Sequence, residues 1–385
     1  MTAALPPPKL DERPVVAMFR APLFNASEGF VQAQAAGLTR YQPLLVGLRH
    51  LGNVTPALRE RLLLAASPAE RLGARLGRWG ALGRRVAHFS PALVHAQFGT
   101  DGLAALPLAR ALGVPLLTSL RGYDVARSSS ALLRSGRLSW IRYALLRRRL
   151  MADGDLFLAV SDALRRAAVA QGFPEARTLT HHNGVDLARF RPDQAPESGL
   201  ILFVGRLVEK KGTGTLLAAF TTVRRACPEA RLEIVGDGPL GPALRRQAAQ
   251  LGVADAVRFT GMLPPDAVAD RLRRAWLLAA PSVTARDGDA EGLPNAVVEA
   301  AASGVPVIGS AHAGIPEAVE DGRTGFLVPE GDAAALAARL IDLLRSPDLR
   351  DRFGLAARRL AEQRFDAVRQ SVLLEAHYDR LLGRT

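Results

Sequence analysis

At 385 residues the chain exceeds what one hydrophobic core usually fills, which predicts two domains of about 190 residues each. Apolar residues make up 48% of it, yet no uncharged apolar run reaches the roughly 18 residues that cross a bilayer, so a soluble protein is expected. A formal charge of +13 predicts an anionic partner, and a lone cysteine, Cys227, excludes an internal disulfide and a thiolate metal site.

Met1 to Arg13 is proline-rich and polar where a signal peptide would be hydrophobic, which predicts a disordered N-terminal segment (1–13) and a cytoplasmic protein. Residues 14–190 read as a first α/β domain. Strands are predicted at Val15 to Phe19, Leu44 to Leu48, Leu93 to Ala96, Pro115 to Ser119, Leu156 to Val160 and Arg177 to Thr180. Helices are predicted at Phe30 to Leu38, Leu103 to Leu112, Leu132 to Met151 and Asp162 to Gln171. Short continuous apolar runs without strict polar alternation favour a parallel sheet covered on both faces. Leu112-Gly-Val-Pro115 closes one helix with glycine and admits the next strand with proline.

Arginines are unevenly spread. Seven lie between Arg59 and Arg85 against two acids, and six between Arg134 and Arg149 with none. In the second stretch Trp140, Ile141, Tyr143, Leu145 and Leu146 alternate with the charges, the pattern of a basic, partly apolar helix suited to an anionic membrane surface. An arginine-heavy solvated face is the bland alternative. No zinc-finger spacing or RNP-like aromatic pattern supports nucleic acid as a partner.

Residues 191–199, with two prolines and a terminal glycine, form the best linker. A second α/β domain (200–348) follows, with strands predicted at Leu200 to Val204, Arg231 to Val235, Val257 to Phe259, Leu277 to Ala280, Val305 to Ile308 and Gly325 to Val328. Helices are predicted at Leu216 to Arg225, Ala243 to Gln250, Ala267 to Arg274, Asn295 to Ser303 and Ala333 to Leu344. Beyond Pro347 the chain reads as helices only, so residues 349–385 are expected to pack back across the domain boundary onto the first domain.

Two segments of the second half carry chemistry. The chain has three lysines, Lys9, Lys210 and Lys211, and two of them stand in Gly205-Arg-Leu-Val-Glu-Lys-Lys-Gly212, between a predicted strand and helix. Strand, glycine turn, cations and helix make an anion site, with Arg206 gripping phosphate oxygens and a lysine approaching as a point charge. A Walker A loop is excluded by the missing Gly-Lys-Ser/Thr end. Farther on, Glu291 and Glu299 bracket Glu291-Gly-Leu-Pro-Asn295, where a loop enters a helix. An open helix end suits a diphosphate, and carboxylates suit sugar hydroxyls because each accepts several O–H donors. Together they point to a sugar nucleotide.

At this point the sequence resembles the GT-B glycosyltransferases of retaining family 4, in character the exopolysaccharide or colanic-acid type. The resemblance covers nearly the full length. It is carried by Val204-Gly-Arg-Leu207 with Lys211-Gly212, Gly236-Asp-Gly-Pro239, Glu291-Gly-Leu-Pro-Asn-Ala-Val-Val-Glu299, Ala301-Ala-Ser-Gly-Val-Pro-Val-Ile308, Gly314-Ile-Pro-Glu317 and Asp321-Gly-Arg-Thr-Gly-Phe-Leu-Val328. It implies two Rossmann-like parallel-sheet domains facing across a cleft, the first for the acceptor and the second for the nucleotide sugar. It implies transfer of a sugar from a UDP- or GDP-sugar, with retention and without metal or cofactor, to a saccharide or lipid-linked saccharide.

The same resemblance implies the roles of individual residues. Arg206 and Lys211 would hold the diphosphate, Glu299 the ribose hydroxyls and Glu291 the transferred sugar. Gly205, Gly236, Gly238, Gly292, Leu293, Pro294 and Asn295 would line the donor, and Gly29, in Ser27-Glu-Gly-Phe30, would face it from the first domain. Leu120-Arg-Gly-Tyr-Asp124 places Arg121 where relatives carry histidine, and His95-Ala-Gln-Phe-Gly99 places Gln97 where many carry a second one. Arginine is a permanent cation and not a general base, so Arg121 is read as a substrate contact near the reaction centre, with Asp124 orienting its loop. Structural pairing of Arg121 with Asp124 is the alternative.

No metal site is expected. His181 and His182 lack a third ligand, and Asp153-Gly-Asp155 reads as a turn; Asp287-Gly-Asp289, just before Glu291, is the more serious exception. The alternatives to transfer are a sugar-nucleotide epimerase or hydrolase of similar architecture, and a non-catalytic sugar-nucleotide-binding subunit.

Overall fold

A computed structural model describes residues 8, 10–23, 29–52, 54–192 and 196–384. Ser27, Glu28, Lys9, most of the expected N-terminal segment and the middle of the expected linker lie outside this set. The chain divides into two compact units, Met1–Gly184 with Ala367–Thr385, and Val185–Asp366.

Unit 1 has a parallel sheet of seven strands among the described residues, β1 (Val15–Leu23), β2 (Gln42–His50), β3 (Leu62–Leu64), β4 (Leu93–Ala96), β5 (Leu116–Leu120), β6 (Leu156–Ala159) and β7 (Thr178–Thr180). Their order is β3-β2-β1-β4-β5-β6-β7. The edge strand β3 has three residues, too few for an apolar run to stand out in the sequence. Gly113, at φ +67°, ends the helix Gly99–Leu112 as the Gly-Val-Pro turn predicts. The expected helix over Leu132 to Met151 is two helices, Ser129–Leu133 and Leu138–Asp153. Gly136 between them adopts φ +67°, which the run of helix-forming neighbours conceals. At the start of the unit Asp11 and Arg13 are held against Gln42, whose Nε2 donates to both carbonyls.

The helix Ala367–Leu382 belongs to unit 1 although it closes the chain. Its Tyr378 is fully buried in a core with Met18, Leu45, Leu93 and Leu374. The Tyr378 hydroxyl lies 2.8 Å from His95 Nδ1, and His95 Nε2 lies 2.9 Å from Ser119 Oγ. One turn earlier, buried Glu375 accepts from the backbone N–H groups of Thr39, Arg40 and Tyr41 at 2.7, 2.7 and 3.4 Å. Three successive N–H groups aimed at one carboxylate form an anion nest, a specific lock for an otherwise amphipathic helix.

Unit 2 has a parallel sheet of six strands among the described residues, β8 (Leu200–Val204), β9 (Arg231–Val235), β10 (Val257–Gly261), β11 (Leu277–Ala280), β12 (Val307–Ser310) and β13 (Gly325–Val328), in the order β10-β9-β8-β11-β12-β13. Its core joins strand residues Ile201, Phe203, Ile234 and Ile308 to Phe220, Leu340 and Phe353 on the covering helices. The helix Pro347–Arg364 stays in this unit, so of the expected tail only Ala367–Leu382 joins unit 1. The units divide at Gly184/Val185 and Asp366/Ala367, ahead of the proline-rich 191–199 stretch. Composition marks that stretch as a linker, but Phe190 is buried and its carbonyl accepts from Arg358 Nη1 at 2.8 Å, which ties it into unit 2.

Candidate functional site in unit 2

In unit 2 the chain runs from β8 outward through β9 to β10, then returns to place β11 on the other side of β8. Ligands of open parallel sheets bind beyond the carboxyl ends of the strands at such a reversal. The loops leaving β8, β9 and β11, with the helix Asn295–Ala302 that the last of them enters, carry every residue predicted to hold the donor except Gly29.

The turn after β8 presents Arg206, exposed and without an ion pair among the described residues. Lys211 Nζ stands 2.9 Å from Glu291 Oε1, with 17% and 7% of the two side chains exposed. The pair is close, but no N–H is well aligned on that buried oxygen. Burial opposes ionisation of Glu291, yet Lys211, then Lys210, outweigh it and hold the carboxyl below its ordinary value. Lys210 has a different task, which sequence reasoning missed. Its Nζ meets Asp289 Oδ1 and the Ala290 carbonyl at 3.2 Å each, and its own carbonyl accepts from Val283 N–H at 2.9 Å. The two lysines thus staple the long loop after β11 onto the turn after β8. Asp289, the more serious metal candidate, is engaged by this cation, and no group of three metal-ligating side chains occurs among the described residues.

Two glycines show why the motif spacing is strict. Gly212 has φ +64°, and a Cβ there would fall 1.7 Å from the Pro281 carbonyl oxygen. Gly236 has φ +140°, and its Cβ would fall 1.9 Å from the Gly205 carbonyl oxygen. A Cβ on Gly238 would likewise strike the Leu207 carbonyl, at 2.5 Å. Gly236 and Gly238 therefore let the β9 loop touch the β8 loop backbone to backbone, whereas a Cβ on Gly205 would meet the Lys211 side chain at 3.3 Å. Their small size serves loop packing, and any donor contact comes from the backbone so positioned.

Gly292 and Leu293 are buried, Pro294 takes the N-cap position, and Asn295 opens the helix Asn295–Ala302. No acid lies in its first turn. Glu299 sits in the second, beyond the reach of a simple macrodipole effect. It is half-buried, and burial pushes its carboxyl up to about 7, opposed by Arg189 and Lys211. This helix is braced by Arg358, whose Nη1 donates to the carbonyls of Ala302 and Phe190 at 2.6 and 2.8 Å, the latter beside Arg189.

In unit 1, Arg121 leaves β5 already engaged. Its Nε donates to the Gln97 carbonyl (3.1 Å), Nη2 to Gln97 Oε1 (2.8 Å) and Nη1 to Asn183 Oδ1 (2.6 Å), and the guanidinium lies 4.1 Å from the Phe30 ring centre. The pairing with Asp124 runs through the Arg121 backbone N–H, at 3.1 Å, not through the guanidinium. Asp124 is fully buried and also accepts from Gly99 and Gly122, orienting the loop as expected. His95 is a satisfied core histidine, held neutral mainly by burial. Gly29 opens the helix Gly29–Ala36, with no described atom within 4 Å of where a Cβ would stand. Beside Arg121 a small open concavity is lined by Phe30, Gln34, His181, His182, Asn183 and Gln370.

Comparison with known proteins agrees with this architecture. The profile of Glycosyltransferase Family 4 matches residues 41–189, and that of Glycosyl transferases group 1 matches residues 186–360. The chain is 37% identical to the putative colanic acid biosynthesis glycosyltransferase WcaL of Salmonella typhimurium over 65% of its own length, and spans 61% of that protein. It is 30% identical to the amylovoran biosynthesis glycosyltransferase AmsK of Erwinia amylovora, over 86% of this chain and 82% of that one. Its fold is shared with Anabaena HepE, crystallised with UDP and glucose, at a TM-score of 0.76 and 19% identity, covering 96% of this chain and all (100%) of that one. With the two profiles meeting near the boundary between its two parallel-sheet units, and with AmsK matched along most of its length, the chain belongs to glycosyltransferase family 4 and has the GT-B fold.

Proposed function

We propose that this protein is a retaining glycosyltransferase that moves a sugar from a UDP- or GDP-sugar to a hydroxyl of a saccharide or lipid-linked saccharide, in exopolysaccharide or cell-surface glycan synthesis. The observation that carries this reading is that the loops leaving β8 and β11, at the strand reversal of unit 2, carry Arg206, exposed and without an ion pair among the described residues, and the Lys211–Glu291 pair. Relatives named for colanic acid and amylovoran synthesis support the pathway class.

In this reading Arg206 and Lys211 bind the diphosphate, whose charge grows as the glycosidic bond breaks, so both cations act most strongly in the transition state. Glu291, kept ionised by Lys211, has no proton to give a leaving group at neutral pH. It therefore serves as an acceptor for sugar hydroxyls and not as the acid of a two-carboxylate hydrolase. The acceptor hydroxyl attacks from the face that the diphosphate leaves, and the departing diphosphate takes its proton. Glu299 accepts from the ribose hydroxyls. Arg121, engaged by Gln97 and Asn183, supports unit 1 by positioning the β4 and β5 loops, and the concavity beside it is the candidate acceptor region.

The reading is tested by product analysis with UDP-glucose and GDP-mannose and a lipid extract. Sugar found on an acceptor supports transfer; sugar released or epimerised without acceptor supports the epimerase or hydrolase, and binding without turnover a non-catalytic subunit. Donor binding also has an expected pH signature. Glu299 is ionised only above about 7 in the free protein, and hydroxyl donors favour the ionised form, so binding releases a proton. Nucleotide-sugar affinity is full well above pH 7 and falls by up to about tenfold per unit below it. Glu299→Gln removes that slope. A sugar-linked diphosphate has no titrating phosphate in this range, so a slope that survives in the variant assigns the proton elsewhere.

Among the described residues no helix is long and apolar enough to cross a membrane. A peripheral contact, on the inner face of the cell membrane, is supported by the Leu133–Arg149 surface of unit 1. Leu133, Leu138, Leu145 and Leu146 are exposed there beside exposed Arg134, Arg137, Arg148 and Arg149. Each arginine near an anionic surface contributes about 1 kcal/mol, so replacing these four with glutamine should lower cosedimentation with phosphatidylglycerol vesicles at least about tenfold. Unchanged cosedimentation rejects the patch.

A further inference from the structure

The loop leaving β12 carries a side chain that the donor reading above does not use. His312 is 5% exposed, and its Nδ1 lies 2.6 Å from Glu330 Oε1. Glu330 also accepts the Thr284 backbone N–H at 2.7 Å. Burial opposes its ionisation, but the bonds from Thr284 and His312 prevail and hold the carboxyl below its ordinary value. A carboxylate has no hydrogen to offer, so Nδ1 is the donor, and in the neutral ring Nε2 then presents a lone pair. That Nε2 is buried and has no hydrogen-bond partner among the described residues.

A buried acceptor left bare costs free energy and calls for a partner. Position identifies the partner. Thr284, which holds Glu330, follows Val283, whose N–H is bound by Lys210, the neighbour of Lys211. Glu291 lies within electrostatic reach of His312, and its Oε1 is likewise buried without an aligned donor. Two acceptors, one neutral and one anionic, with a second carboxylate behind the ring, repel a phosphate and suit adjacent O–H donors.

We propose that His312 reads the transferred sugar: Nε2 accepts a hydrogen bond from one sugar hydroxyl while Glu291 accepts from another, with Glu330 locking the imidazole. The inference deepens the nucleotide-sugar reading and rests on it. It makes His312 a specificity residue whose effect is confined to the sugar end of the donor.

Two near-isosteric variants separate the ring's two nitrogens. His312→Asn keeps an N–H for Glu330 and loses the outer acceptor, whereas His312→Gln keeps a polar atom near the outer position and loses the inner bond. Calorimetric titration with UDP, GDP, UDP-glucose and GDP-mannose gives the readout. For the nucleotide sugar that wild type binds, His312→Asn should weaken affinity about tenfold while the matching nucleoside diphosphate stays within about twofold, and His312→Gln should lose less. Deoxy donors add a second test: one deoxy position should weaken wild type and have no further effect in His312→Asn. Equal binding of the sugar nucleotide by wild type and His312→Asn, or equal weakening of sugar nucleotide and nucleoside diphosphate, overturns the inference while leaving the donor site intact. Should wild type bind none of the four, the donor reading itself fails.

Discussion

Replacing Lys211 with alanine is expected to lower kcat for sugar transfer at least about a hundredfold, roughly 3 kcal/mol, by removing a cation that meets charge developing on the leaving diphosphate. The same substitution strips Glu291 of the strongest influence holding it ionised, so the pKa of the buried carboxyl should rise. These two consequences are separable. If Lys211 served only as the counterion of Glu291, then Glu291→Gln would relieve the damage, and the double variant would be no worse than Glu291→Gln alone. If Lys211 grips the diphosphate, the double variant falls below either single one, and affinity for UDP or GDP drops with Lys211→Ala but not with Glu291→Gln. Steady-state kinetics and nucleotide titration on the three variants decide between them.

A loss of stability of similar size is expected at a site far from that chemistry in sequence. Glu375→Ala should destabilise unit 1 by about 3 kcal/mol, because it leaves the N–H groups of Thr39, Arg40 and Tyr41 without the carboxylate that collects them. Glu375→Gln retains an acceptor oxygen and should recover about half of that. Urea denaturation checks the magnitude, and proteolysis between Arg364 and Ala367 checks the cause, since the helix Ala367–Leu382 should detach first. A midpoint close to wild type in Glu375→Ala would show that Tyr378 and its apolar neighbours hold the helix unaided.

These two sites also mark how differently parts of the molecule could be read from residues alone. Four strands of unit 2 match their expected limits, as does β4 of unit 1, because a strand buried on both faces writes itself as a short apolar run. The turn with Arg206 and Lys211 was legible because lysine is rare in this chain and glycine brackets it. Glu291 was legible because it precedes a proline-marked helix start. Lys210, Glu330 and His312 were not assigned, for each acts through a partner 18 or more residues away. A faint signal existed for His312, one of seven histidines, two residues before the Gly314-Ile-Pro-Glu317 motif. Arg121 was read from a missing histidine, and only its contacts show a guanidinium whose N–H groups are engaged by Gln97 and Asn183.

The sequence by itself determined that two parallel-sheet units form, that the second carries a cationic glycine turn and an acidic helix entrance, and that the chain belongs with the family 4 glycosyltransferases. Those are local properties, set by hydrophobic period, backbone permissiveness and charge along a few consecutive residues. Tertiary structure decided the rest: that Lys211 faces Glu291 while Lys210 staples a loop, that Glu299 is pushed toward neutrality, that His312 has one nitrogen tied and one bare, and that the last helix completes the first unit. Burial, ion pairing and hydrogen-bond satisfaction depend on which distant residues share a small volume, and no pattern within a single segment contains that information.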